Sequence, residues 1–107
     1  GVVARLKRVA GEAVRGTVMP SGARARGTGF STRLLAAGTY MLTFDEPFAE
    51  PPIVVPAAEG YGVCYAPESF VTKSTARVRC LSDLLTTTPI ETNLGFSFYA
   101  APVQTPA

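Results

Sequence analysis

Three stretches of this chain alternate apolar and polar residues with period two, and that alternation excludes a helical core. In "TYMLTF" (39–44) Tyr40, Leu42 and Phe44 share one side; in "ARVRCL" (76–81) Ala76, Val78 and Cys80 do. In "NLGFSFYAA" (93–101) Leu94, Phe96, Phe98 and Ala100 do the same. Successive strand side chains point to opposite faces, so each stretch reads as a strand with one buried face. Shorter segments follow the same rule: 14–19, 28–35, 53–58, 61–66 and 69–72. Turn residues separate them, among them Pro20-Ser21-Gly22, Ala36-Ala37-Gly38, Glu59-Gly60 and Lys73-Ser74-Thr75. Pro56 lacks an amide donor and marks its segment as an edge or a bulge, and Pro67 marks a second break. Seven or eight short strands in 107 residues predict an all-β, antiparallel, jelly-roll-like sandwich forming one domain over 14–101.

Outside that range the pattern weakens. Val3, Leu6, Ala10 and Ala13 or Val14 have helical spacing, but Gly11 interrupts them and Val2-Val3 suits a strand equally well. Residues 1–13 are therefore read as a lead-in or stalk end, and 102–107 as a frayed tail. The start at Gly1, without methionine or a basic-then-apolar leader, leads to the expectation of a processed C-terminal piece. No apolar run is long enough to span a bilayer, so membrane insertion is not expected.

The connection "DEPFAEPP" (45–52) poses the choice between a site and a corner. Pro47, Pro51 and Pro52 fix their own φ angles and bias the residues before them toward extended forms. Phe48 is the one large apolar side chain in the link, so it reads as a plug. The competing reading gives Asp45, Glu46 and Glu50 to a cation, but calcium loops bend at a glycine and these acids are held apart by prolines. The corner reading is preferred, with no metal and no cofactor.

Chemistry is limited by what is missing. Histidine is absent, so the serines and threonines have no common base to activate them, and an enzyme is not expected. Tryptophan is absent too. Cys64 and Cys80 share inward parity: they form either a bridge, which requires a bulge near Pro67, or two buried thiols. A bridge would indicate an extracellular or virion setting. Seven of the ten basic residues lie in 1–33: Arg5, Lys7, Arg8, Arg15, Arg24, Arg26 and Arg33. No aromatic interleaves them before Phe30, so nucleic acid is disfavoured and a polyanion-binding module is a minor reading. Tyr61, Tyr65 and Tyr99 have outward parity. Tyr61 and Tyr65 with Arg77, Arg79 and Glu59 compose a candidate ligand patch, while Tyr99, Tyr65 and Arg77 compose a candidate oligomer interface.

The run "VRGTV…RGTGFS…GTYMLTFDEPFAEPPIVV…FVTKSTARVR…GFSFYAA", spanning 14–101, resembles small C-terminal β-domains of phage tail-fibre-like and actinobacterial surface proteins. Its PF-x-x-PP-x-V element is also similar, distantly, to that of H-type lectin domains. Phe98-Tyr99 stands where those lectins carry a tryptophan, so the resemblance implies the fold and a stalk-end role rather than a sugar site. It implies a homotrimeric stalk-end domain on an extracellular, cell-surface or phage-tail-like particle, and the expected role is attachment to a glycan or protein receptor. The structural alternative is a trimerisation or capping domain without a ligand.

Overall fold

The alternating stretches become the central strands of two packed antiparallel sheets. The computed structural model describes residues 12–82 and 90–103. The first sheet has the order β2 (Arg24–Gly27), β1 (Val14–Val18), β9 (Phe96–Ala101), β5 (Ile53–Ala58). The second has the order β3 (Phe30–Ala36), β4 (Thr39–Phe44), β7 (Thr75–Ser82), β6 (Val63–Tyr65), and the two-residue β8 (Ile90–Glu91) also pairs with β7. Hairpins join β1 to β2 and β3 to β4; the links from β2 to β3, from β4 to β5 and from β5 to β6 cross between sheets. The protein is an antiparallel β-sandwich, as the alternation predicts. Among the described residues there is no α-helix.

The inward parity of each strand fills the space between the sheets. Val14, Val18, Phe96, Phe98 and Ala100 come from the first sheet, and Phe30, Tyr40, Leu42, Phe44, Ala76, Val78 and Cys80 from the second. Aromatic pairs cross the interior edge to face, Phe30 on Phe98 at 4.8 Å and Tyr40 on Phe96 at 5.1 Å. Each such pair contributes about 0.5–1.5 kcal/mol beyond its buried area. Gly16 permits a close approach between the sheets: a Cβ there would lie 2.4 Å from the Phe30 ring. The absent side chain leaves room for the Phe30 ring against β1.

Tyr40 has a polar task as well as an apolar one. Its hydroxyl, deep in the core, donates to the Pro20 carbonyl at 3.0 Å and accepts the Gly95 N–H at 3.2 Å. Burial raises its pKa above the ordinary phenol value, so the proton needed for donation stays in place. One side chain thus ties the β1–β2 turn to the start of β9. Tyr40→Phe removes both hydrogen bonds and leaves the Gly95 N–H buried and unpaired, at an expected cost of about 1–3 kcal/mol. Urea unfolding of the variant checks this; an unchanged midpoint would show that the bridge contributes nothing.

Three elements depart from the sequence reading. β2 lies where no strand is expected, between the expected turn at 20–22 and the expected strand at 28–35, and that later strand begins at Phe30. Arg24, Ala25, Arg26 and Gly27 are all exposed, so an edge strand here has no apolar alternation to reveal it. The expected strand at 69–72 is instead a 3-10 turn, Glu68–Phe70, followed by an isolated bridge from Val71 to Ala76. Within the expected loop at 82–92, Ile90 and Glu91 pair with Ser82 and Leu81 as β8. The readings of 1–11 and 104–107 as stalk end and frayed tail fall outside the described residues.

The connection at 45–52 is a packed corner. Phe48 is 4% exposed, sets its ring edge to face on Phe44 at 5.0 Å, and donates its backbone N–H to the Lys73 carbonyl at 2.8 Å. Pro52 is buried with it, while Asp45 and Glu50 are exposed. Among the described residues, no three His, Cys, Asp or Glu side chains gather as metal ligands would.

Candidate binding face

The alternation of β7 sends Ala76, Val78 and Cys80 inward and therefore Arg77 and Arg79 outward. Pairing with β6 sets Cys64 directly opposite Cys80, and the two form a disulfide. The same register sets Tyr65 opposite Arg79. From the Cys64–Cys80 pair to the Val71–Ala76 bridge, the chain uses six residues on one side (65–70) and three on the other (77–79). The 3-10 turn after Pro67 takes up the surplus. The bulge that a bridge requires is therefore three residues deep, and it has a consequence. It carries Phe70 under the Arg77 guanidinium, which lies 4.9 Å from the ring centroid.

β8 adds a residue that the sequence reading did not single out. Glu91 accepts a hydrogen bond from Arg79 and forms an ion pair with it. That bond raises the pKa of Arg79 above its usual value. The signal for Glu91 in the sequence is slight, because a two-residue strand after Pro89 has no room for a periodicity.

The outer face of the second sheet thus gathers Tyr65, Arg77 and Arg79, with Glu91 and Phe70 joining them. Tyr61 stands in the turn ahead of β6, 81% exposed. Glu59 lies elsewhere. It accepts a hydrogen bond from the Ser97 hydroxyl, which is itself 2.8 Å from that of Thr17, on the outer face of the first sheet. Tyr99 also belongs to the first sheet, so the structure places it on the opposite side of the sandwich from Tyr65 and Arg77. No single flat contact contains all three.

The first sheet has a surface of its own. Register sets Val55, Tyr99 and Arg15 in one row and Ile53 with Ala101 in the next. Ile53 is 58% exposed, Val55 59% and Tyr99 48%. Among the described residues, the basic side chains of the first third do not converge. Arg15 and Arg26 face outward from the first sheet, and Arg33 from the second. Arg24 is held on the Phe30 carbonyl at 2.9 Å, beside a shallow cleft of about 370 Å³ lined by Ser31, Thr32 and Asp45.

Chemically, the face of the second sheet offers guanidinium donors, one carboxylate acceptor and two aromatic surfaces. These can hold a ligand by stacking and hydrogen bonding. Comparison with protein-family models, with characterised proteins and with solved structures finds no match.

Proposed function

We propose that this domain is a non-catalytic recognition module, a trimeric attachment head that binds a cell-surface glycan. The observation that carries the reading is the grouping on one exposed sheet face of Tyr65, its cross-strand neighbour Arg79 and the carboxylate of Glu91. Sugars present apolar ring faces and vicinal hydroxyls. An aromatic surface answers the first, and a fixed guanidinium–carboxylate pair answers the second with donors and acceptors together. Shallow contacts of this kind are individually weak, and repetition in an oligomer multiplies them. Self-association is assigned to the opposite face, through Ile53, Val55 and Tyr99, which leaves the ligand face clear. The resemblance to stalk-end domains agrees with that arrangement, and an extracellular or virion-surface setting agrees with the disulfide.

The apolar face of the first sheet also favours a second reading, a structural trimerisation domain with no ligand. Two measurements separate them. Solution mass is expected at three times the 11.2 kDa chain, falling to one chain for Val55→Glu, which sets a charge in the centre of the apolar patch. The assembled wild type is expected to bind on a glycan array, and Tyr65→Ala to lose at least about tenfold, a modest value for one stacking aromatic. A trimer silent on glycans and on intact cell surfaces would establish the structural reading. A monomer at all concentrations would remove the trimer from both.

A further inference from the structure

We propose that the saccharide held by this face is anionic, bearing carboxylate or sulfate groups; the inference rests on the glycan-binding reading above. The registers of β3, β4, β7 and β6 lay out the outer face as rows. Arg33, Met41 and Arg77 form one row, and Thr39, Arg79 and Tyr65 the next. Three guanidinium groups therefore share one surface around Met41. Arg79 is paired with Glu91, but no carboxylate among the described residues forms an ion pair with Arg33 or Arg77. Glu68, in the 3-10 turn beside Phe70, is exposed and does not pair with them either. The face thus carries three positive charges against one paired negative charge, and two of its cations are left for a ligand.

Arg77 is the better prepared of those two. Phe70 orients its guanidinium from below, and its Nε–H, out of contact with solvent, has no acceptor among the described residues. A half-buried guanidinium held by an aromatic ring alone has less rotamer freedom to lose on binding. Its planar fork matches the two oxygens of a carboxylate or sulfate. Arg33 and Arg77 stand two strands apart, about 10 Å between backbones at ordinary sheet spacing. That separation suits charges on two different sugars of one chain better than a single small anion. The surroundings are hydroxyl-rich, with Ser31, Thr39, Thr43 and Thr75 facing the same way, and they complement a polyhydroxylated ligand.

The test uses the folded, disulfide-bonded protein with matched probes: a heparin-derived oligosaccharide and its desulfated counterpart, and a polyuronate fragment and its methyl ester. The acidic member of each pair is expected to bind at least about tenfold tighter, with a preference that shrinks as salt rises. Arg77→Gln is expected to abolish the preference, and Tyr65→Ala to weaken both members alike. Unfolding midpoints of both variants report that the fold is retained. Equal binding of acidic and neutral members overturns the inference and leaves the recognition reading standing. Binding to none of the four, in a protein that also fails on cell surfaces, overturns the recognition reading itself. Tighter binding to duplex DNA than to a glycan of equal charge overturns the assignment to saccharide.

Discussion

Phe48→Ala is expected to destabilise the domain by about 3–5 kcal/mol, the range for emptying a buried phenylalanine site. Domains of this size have about 5–15 kcal/mol in all, so the loss would be a large fraction of the total. Three features place Phe48 at the upper end of what a connecting segment can contribute. Its side chain is 4% exposed, its ring meets Phe44 edge to face, and its backbone N–H is bonded to Lys73 across the corner. The flanking prolines lower the chance that the segment collapses into the vacated space, because their φ angles cannot adjust. Phe48→Leu keeps most of the volume and is expected to retain more than half of the lost stability. Glu50→Gln, at an exposed position, is expected to shift stability by less than about 0.5 kcal/mol. Denaturant unfolding of the three variants measures all of this. A loss below about 1 kcal/mol for Phe48→Ala would mean that the corner is not part of the core.

The contrast between Phe48 and β2 explains what could be read from the residues alone. Where burial sets the pattern, the pattern can be read back. Tyr40, Leu42 and Phe44 must all face one way, so β4 has the same bounds in the sequence reading and in the structure. β5, with Pro56 inside it, is likewise found at 53–58 and at an edge of its sheet. Where nothing is buried there is no pattern, and β2 with its two arginines shows none. The candidate face was half legible for a related reason. Parity identified Tyr65, Arg77 and Arg79 as outward, but parity does not say from which sheet. Parity also groups Tyr99 with them, and Glu59 joins as a carboxylate acceptor in the turn before Tyr61; topology separates both from the face. Glu91 and Phe70 reach the face through a two-residue strand and a 3-10 turn, elements too short to leave a period. The Tyr40 hydroxyl bridge was hidden for a different reason, since the residue already had an apolar explanation.

Removing the Cys64–Cys80 bridge, as Cys64→Ala with Cys80→Ala, is expected to cost about 3 kcal/mol, the loop-entropy value for a closure near fifteen residues. The cysteines are 16 positions apart and the smaller side chains add no polar atom to the core. The bridge has a local effect that the total does not reveal. β6 has three residues at the edge of its sheet, and its partners in register are Leu81, Cys80 and Arg79. Tyr65 and Arg79 are each the immediate neighbour of a bridged cysteine, so the covalent link fixes the register that sets the two opposite each other. Without it, amide exchange across 63–71 is expected to accelerate well before exchange in β4 or β9, because short edge segments open at lower free energy than core strands. The proposed function further predicts that glycan binding falls along with it, although Tyr65 and Arg79 are both still present. A double variant with wild-type stability would show that the β6–β7 pairing is self-sufficient. Loss of exchange protection uniformly over all strands would show that the bridge supports the whole sandwich rather than the face that carries the site.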